Sequence, residues 1–263
     1  MLRCASLSLI FIGIGLTAKG LTIEGLSEAQ KAEHVFIDAY TNLIPRNELH
    51  TLQNLIGKDI KPLYRSDVEG RGVYELLKLT EKSTVALLVV GDPFIATTHI
   101  ALRLEAIKRG VKVKYVPSAS IASVIPGLTG LSSYKFGKSA TIVFPDKGSN
   151  NAAYDAIKDN SSRGLHTLLY LDLEVENKRA MTINEALKLL LDVEAQRAEG
   201  VVREDMLIVG IARACWNNEI VKAAKLSKLI NYDFGPPPHV LVVPGSLHFM
   251  EYEALKALAG MED

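Results

Sequence analysis

Short apolar runs alternate with amphipathic stretches along most of the chain. Runs rich in β-branched residues predict buried strands. These runs are Ser8–Ile14, His34–Tyr40, Val85–Val90, Val111–Val116, Ala140–Phe144, Thr167–Leu173, Met206–Ala212 and Val240–Val243. Strands that are apolar throughout, with helical patterns between many of them, predict an α/β fold in which helices cover both faces of a sheet.

Local signals mark some of the helices. Thr98–Arg109 has a helical pattern and is followed by Gly110, a typical residue at a helix C-terminus. The apolar residues on one face of this helix are Ile100, Leu104 and Ile107. A further helix is predicted to open at Thr182–Glu185, where a hydroxyl precedes a glutamate by three positions.

A stretch rich in small residues, Gly127–Gly137, lies between the earlier and the later strands. Such stretches are typical of connections between domains. We therefore predict two α/β lobes that divide near residue 136. Residues 1–136 form the N-terminal lobe, with a glycine loop and a Gly-Asp-Pro motif, and residues 137–263 form the C-terminal lobe.

The beginning of the chain has two interpretations. Met1–Arg3 followed by the apolar run Leu7–Leu16 resembles a short signal peptide, but the same run can be a buried first strand that ends in a glycine loop. The residues alone leave both open. No other apolar run approaches the ~20 residues that are needed to cross a bilayer.

The composition argues against several classes of protein. The 263 residues carry 30 basic and 30 acidic side chains, so no overall positive charge favours nonspecific binding to nucleic acid. Cys4 and Cys215 are too few for a disulfide framework or a cysteine-based zinc site, and a reducing compartment is the simpler expectation. The histidines are scattered and predict no metal site.

Two motifs follow predicted strands in the first lobe. Gly13–Ala18 matches a G-x-G-x-x-A dinucleotide fingerprint, and Asp38 stands where a ribose-binding acid is expected. The glycines that follow disfavour a helix start inside the fingerprint, so a close backbone approach to a ligand is the better interpretation. In Gly91–His99, Asp92 lies just beyond a strand, where it either shapes a turn or contacts a ligand.

Two further segments are ambiguous by themselves. Pro117–Ser123 offers small hydroxyl residues that either cap a helix or face a ligand. Gly235–His239 is a proline-rich turn that presents a histidine at the start of a strand, without a metal partner at the usual spacing.

Taken in order, these segments resemble the diphthine synthases, a branch of the tetrapyrrole (corrin/porphyrin) methylase superfamily. The stretches that carry the resemblance are Phe11–Leu16, Gly91–His99, Tyr134–Thr141, Arg163–Leu169, Met181–Ala186 and Pro237–Gly245 with Leu247 and His248. The resemblance implies two αβα lobes with S-adenosylmethionine in the cleft between them, and a homodimer. It also favours the strand over a signal peptide, because cleavage would remove the first strand and its glycine loop.

The resemblance further implies the function and its residues. The implied cofactor contacts are Leu16, Asp92, Ile95, Ser120, Ile121, Leu171, Ala214 and His239. The implied reaction is methylation of the modified histidine of elongation factor 2 in diphthamide biosynthesis, in the cytoplasm, without direct binding to nucleic acid or membrane. We expect no essential general base, because a charged methyl donor needs mainly a well-positioned amine.

Two alternatives stay open at this point. A corrin or porphyrin C-methyltransferase is one, although those enzymes usually have Gly-Pro-Gly-Asp near the first strand, where this chain has Gly13–Thr17. A nucleotide-binding or NAD-dependent protein that uses Gly13–Ala18 is the other.

Overall fold

The computed structural model describes residues 8–68 and 72–262. Its strands are β1 (Ser8–Gly13), β2 (His34–Asp38), β3 (Lys61–Leu63), β4 (Val85–Val89), β5 (Lys112–Val116), β6 (Ala140–Ile142), β7 (Thr167–Leu171), β8 (Leu173–Glu174), β9 (Arg179–Ala180), β10 (Leu207–Ala212), β11 (Ile220–Lys225) and β12 (His239–Val243). Its helices are α1 (Ile23–Lys31), α2 (Arg46–Ile56), α3 (Arg65–Val68), α4 (Gly72–Leu79), α5 (His99–Lys108), α6 (Ile121–Thr129), α7 (Asn151–Ser162), α8 (Ile183–Arg197), α9 (Leu226–Leu229) and α10 (Phe249–Ala259), with 3-10 turns at Ala18–Gly20 and Ser133–Lys135.

The chain divides into two compact units. The first contains the residues up to Ile121 together with Glu174–Lys178, and the second contains Ala122–Leu173 and Arg179–Asp263. The division predicted near residue 136 falls within the second unit, after α6 and the 3-10 turn at Ser133–Lys135.

The first unit is built on a parallel sheet with the strand order β3-β2-β4-β1-β5. Its inner strand β1, which lies between β4 and β5, explains why the runs are apolar throughout. In β1, Leu9 and Phe11 pack into one core cluster, whereas Ile10 and Ile12 pack into another. Side chains alternate between the two faces of a strand, so a strand that is covered on both sides must be apolar at every position.

The second unit is built on a mixed sheet with the strand order β11-β10-β12-β7-β6. Only β6 and β7 are parallel neighbours in it, and the other pairs are antiparallel. Thr182 caps α8 as predicted: its side chain accepts a hydrogen bond from the Glu185 N–H, and the Glu185 carboxylate accepts one from the Thr182 N–H.

Every run that the sequence predicts as a strand contains one in the structure. Short or mixed strands such as β3 and β11 escaped prediction, because their residues lack a continuous apolar pattern. The first strand is present as β1, while Met1–Arg3 and Leu7, which belong to the signal-peptide pattern, lie outside the described residues. Within the described residues, no helix has the length and hydropathy that a membrane span requires.

Candidate functional site

The carboxyl ends of β4, β1 and β5 lie side by side in the first sheet. The loops after β1 and β4 are joined by two backbone hydrogen bonds, from Gly91 N–H to the Gly15 carbonyl (2.8 Å) and from Gly15 N–H to the Gly91 carbonyl (3.3 Å). A Cβ on Gly13 would lie 2.7 Å from the Gly91 oxygen and 2.8 Å from the Ser118 Cβ, so only glycine permits this approach. Open parallel sheets bind their ligands at this kind of edge.

Asp92 connects the loop after β4 to β5. Its side chain is buried, with 6% exposed. Oδ1 accepts a hydrogen bond from the Phe94 N–H (2.9 Å), and Oδ2 accepts from the Tyr115 hydroxyl (2.5 Å) and the Ser118 N–H (3.4 Å). The interpretation that Asp92 shapes the turn is therefore confirmed. Its contact with a cofactor stays a prediction.

The other predicted residues of the first unit lie at the same edge. Leu16 is half-buried in the loop after β1, and Ile95 is exposed in the loop after β4. Ser120 is buried immediately before α6, which begins at Ile121. A Cβ on Gly91 would lie 3.6 Å from the Ser120 Cα, so the loops after β4 and β5 are in contact.

The dinucleotide interpretation of Gly13–Ala18 is wrong. Helix α1 begins at Ile23 and not within the fingerprint, so Gly13–Ala18 does not open the helix whose N-terminus would meet a pyrophosphate. The proposed ribose acid, Asp38, is 1% exposed and accepts hydrogen bonds from the Tyr40 N–H (2.9 Å) and from His99 Nε2 (3.1 Å). Its carboxylate is therefore engaged inside the first unit.

The Asp38–His99 pair is a buried polar cluster that sequence reasoning missed. Asp38 ends β2 and His99 begins α5, 61 positions later, so no local pattern connects them. Burial acts to raise the pKa of Asp38, but the hydrogen bond and the charge of His99 outweigh it, and the pKa is lowered. His99 is therefore a satisfied core histidine on the first turn of α5.

The second sheet also brings the predicted residues of its unit to one edge. Strand β12 runs antiparallel to both β7 and β10, and Ala212 at the end of β10 pairs with His239 at the start of β12. The end of β7 at Leu171, the turn with Ala214 and the start of β12 at His239 therefore adjoin one another.

His239 is the polar side chain of this group. Its Nδ1 accepts a hydrogen bond from the Ile183 N–H at the start of α8 (3.2 Å), so in the neutral ring the proton sits on Nε2. Nε2 is buried and has no hydrogen-bond partner among the described residues. Burial lowers the pKa of His239 to about 4, with a further contribution from the positive charge of Arg213.

Arg213 is a second group that sequence reasoning missed. It is 3% exposed, and its guanidinium donates to backbone carbonyls: Nε and Nη2 donate to Asn218 (3.1 and 3.0 Å), and Nη1 donates to Phe234 (2.8 Å) and Pro236. Arginine followed by small residues after a strand is compatible with an exposed turn, so the sequence carries no signal for this burial.

A family model of tetrapyrrole (corrin/porphyrin) methylases matches residues 8–230, most of both units. The chain belongs to the tetrapyrrole methylase family. This methylase is 40% identical over 257 residues to a diphthine synthase of Staphylothermus marinus, which covers 97% of this chain and 95% of the relative. It is 44% identical over 256 residues to a diphthine synthase of Methanocella arvoryzae, covering 97% of this chain and 99% of the relative.

Solved structures give the same result. A crystal structure of diphthine synthase matches this methylase with a TM-score of 0.87 and 39% identity, covering 97% of this chain and 96% of the other. The chain is therefore an enzyme, a methyltransferase with the mixed α/β fold of its family. The predicted residues from Leu16 to Ala214 lie within the range that the family model matches, and His239 lies beyond it.

Proposed function

We propose that this methyltransferase acts in diphthamide biosynthesis, where it transfers methyl groups from S-adenosylmethionine to the amino nitrogen of the modified histidine of elongation factor 2. The observation that carries the proposal is its identity of 40–44% to diphthine synthases over nearly the full length of both chains. Similarity of this extent is spread over both units and does not rest on one motif.

We propose Leu16, Asp92, Ile95, Ser120 and Ile121 of the first unit as cofactor contacts. Backbone hydrogen bonds join the loops after β1 and β4. Asp92 accepts hydrogen bonds from the Phe94 N–H of its own loop, from the Tyr115 hydroxyl on β5 and from the Ser118 N–H of the loop after β5. Asp92 therefore acts mainly by fixing the backbone that meets the cofactor. This agrees with a cofactor that is bound largely through backbone groups and apolar side chains.

For the second unit we propose Leu171, Ala214 and His239 as contacts. The residues present fit a ligand with hydrogen-bond acceptors, because His239 Nε2 is a buried donor without a partner among the described residues. An unsatisfied buried donor costs about 1–3 kcal/mol, and a bound ligand that accepts its hydrogen bond recovers this free energy.

When bound, S-adenosylmethionine supplies a sulfonium methyl group that an amine can attack without an acid catalyst. The task left to the protein is to hold the donor rigidly and to exclude competing water. Correct positioning alone contributes up to about 7–11 kcal/mol in well-oriented reactions. We propose no essential general base, so the amine of the substrate loses its proton without help from one indispensable side chain.

We further propose that the chain forms a homodimer and works in the cytoplasm, where its protein substrate is found. Sedimentation velocity over a range of protein concentrations tests the dimer. A single species with the mass of one chain at micromolar concentration would contradict it.

Two measurements test the proposed function. Titration calorimetry with S-adenosylhomocysteine tests the cofactor, and mass spectrometry of elongation factor 2 carrying the unmethylated modified histidine tests the substrate. We expect micromolar binding and a gain of methyl groups that requires S-adenosylmethionine. Failure of well-folded protein to bind S-adenosylhomocysteine would contradict the cofactor. Binding without methylation of elongation factor 2, but with methylation of a corrin or porphyrin, would favour the other branch of the family.

Asp92→Ala and Asp92→Asn test whether the cofactor binds at the Gly-Asp-Pro motif. We expect both to weaken binding of S-adenosylhomocysteine, Asp92→Ala more strongly, because asparagine retains one acceptor for the loop hydrogen bonds. Asp59→Ala is the matched control, since Asp59 is an exposed carboxylate of the same unit. Circular dichroism distinguishes lost affinity from lost folding.

A further inference from the structure

Arg213 lies at a point where three segments of the second unit meet. It follows β10 directly, its N–H donates to the Pro238 carbonyl (2.8 Å), and its guanidinium donates to carbonyls of the loop before β12 and to Asn218 in its own turn. Pro238 immediately precedes His239, and Ala214 immediately follows Arg213. The arginine therefore holds both flanks of the proposed contacts Ala214 and His239.

The turn that carries Ala214 has an unfavourable backbone. Arg213 has φ of 51° and Cys215 has φ of 65°, both in the left-handed region. Each such residue that is not glycine costs roughly 1–2 kcal/mol, so the turn persists only because surrounding contacts hold it. Four hydrogen bonds from one buried guanidinium supply such contacts.

We propose that Arg213 is a positioning residue for cofactor binding: it fixes the turn that carries Ala214 and the loop before His239, and it thereby keeps the Nε2–H of His239 as a donor for the bound cofactor. The proposal rests on the proposed function, because it identifies the cofactor as the ligand that accepts this hydrogen bond.

The charge of Arg213 supports the same role. Protonating Nδ1 of His239 would place an N–H against the Ile183 N–H, at the positive end of α8. Burial and the nearby guanidinium both oppose protonation, although carbonyls of residues 234–236 favour it. Two carboxylates on the packed segments are engaged elsewhere, Glu185 with Thr182 and Asp233 with the Gly235 N–H.

The first test measures the pKa of His239 by NMR titration of the ligand-free protein. Wild-type His239 is expected to titrate at about 4, and Arg213→Gln is expected to raise this pKa toward the unperturbed ~6.5. Arg213→Lys retains the charge but not the planar guanidinium, so it should shift the pKa of His239 less than Arg213→Gln does. His239→Gln assigns the resonance.

The second test measures affinity for S-adenosylhomocysteine at neutral pH and its loss in acid. Arg213→Gln is expected to weaken binding about tenfold, as removal of a fixed hydrogen-bond donor does, and to raise the KM for S-adenosylmethionine far more than it lowers kcat. Protonation of Nδ1 leaves the Nε2–H in place but removes the acceptor for the Ile183 N–H, which orients the ring. Binding to wild type is therefore expected to weaken as the pH falls through about 4, and binding to Arg213→Gln at a higher pH. In the His239→Gln background, adding Arg213→Gln should not change the pH at which binding is lost.

Arg197→Gln is the matched control. Arg197 forms ion pairs with Asp155 and Glu199 in the same unit, at the far end of α8, roughly 20 Å along the helix from Ile183. It should lower stability without moving the pKa of His239.

An unchanged pKa of His239 and an unchanged affinity for S-adenosylhomocysteine in a folded Arg213 variant would overturn the proposal. If the pKa shifts but wild type binds no S-adenosylhomocysteine, the link between Arg213 and His239 stands and the proposed function fails. If Arg213→Gln does not fold, Arg213→Lys decides on the same two readouts.

Discussion

The phenol of Tyr115 donates a hydrogen bond to Oδ2 of Asp92, with 2.5 Å between the two oxygens. Tyr115 lies on β5, whereas Asp92 follows β4, and β1 separates these strands in the sheet. Burial, followed by the hydrogen bond to Asp92, raises the pKa of Tyr115 to about 12, so the phenol remains a donor at any physiological pH. The bond fixes the carboxylate at the edge where we propose the cofactor binds.

Tyr115→Phe is therefore expected to weaken binding of S-adenosylhomocysteine by about tenfold, because a hydrogen bond to a charged group contributes roughly 1.5–3 kcal/mol and part of it is replaced by water. Calorimetry measures the effect. Tyr74→Phe is the control, since the exposed Tyr74 ring packs under Arg109 in the same unit. Equal affinities for wild type and Tyr115→Phe would mean that Asp92 needs no support from β5.

Glu251 gives a prediction about pH and stability. The carboxylate is 3% exposed and accepts hydrogen bonds from Lys135 Nζ, from the Ser132 N–H and from His166 Nε2. Burial acts to raise its pKa, but these bonds, with that from the His248 N–H, lower it from 4.5 to about 2. A carboxylate with a lowered pKa contributes stability above its unfolded pKa and loses it as the pH falls toward its folded pKa.

The free energy of unfolding of wild type should therefore decline by about 3 kcal/mol from this group as the pH falls from 4.5 to about 2. His166, whose pKa burial lowers below 6.5, adds a loss that begins at higher pH, because its folded form resists protonation. Urea denaturation at several pH values measures both effects.

Glu251→Gln should be less stable than wild type at neutral pH. Its free energy of unfolding should also lack the decline in acid that Glu251 causes in wild type. Glu253→Gln, on the exposed side of α10, is the control and should follow wild type. An acid profile of Glu251→Gln that parallels wild type would show that other carboxylates cause the decline.

Gly13→Ala tests the close approach of the three loops. The added Cβ would meet the Gly91 oxygen at 2.7 Å and Ser118 at 2.8–2.9 Å, all backbone or short side chain. We expect a loss of about 1–3 kcal/mol in stability, as for overpacking of a core, and a weakened affinity for S-adenosylhomocysteine. Thermal unfolding and calorimetry measure the two effects.

Gly127→Ala is its control, because a Cβ at this position in α6 meets nothing within 4 Å. Alanine there should be neutral or stabilise the helix by up to about 1 kcal/mol. If Gly13→Ala behaves like Gly127→Ala, the loops are free to separate and do not form a fixed surface.

Asp38→Asn tests whether Asp38 stabilises the fold or binds a ligand. The amide has one acceptor where the carboxylate accepts from His99 and from backbone groups, so we expect the free energy of unfolding to fall by about 2 kcal/mol. Asp59→Asn should leave it unchanged. Wild-type stability in Asp38→Asn, together with a changed affinity for NADH, would restore the dinucleotide interpretation.

The exposed stripe on α5 illustrates a limit of periodicity. The sequence places Ile100, Leu104 and Ile107 on one face, and the structure leaves that face 50–52% exposed and buries Leu102 and Ala106 instead. Helical spacing states which residues share a face, but only packing decides which face meets the sheet.

The sequence by itself determined the α/β class, most strand positions and the loops that end them, because strands covered on both faces need continuous apolar residues and tight turns need glycine or proline. It also contained the resemblance that identifies the family. Tertiary structure alone decided the direction of the second-sheet strands and the partners of Asp38, Asp92, Arg213 and Glu251. Those partners lie up to 119 positions apart, and hydrogen bonds across such separations leave no periodic signal in the chain.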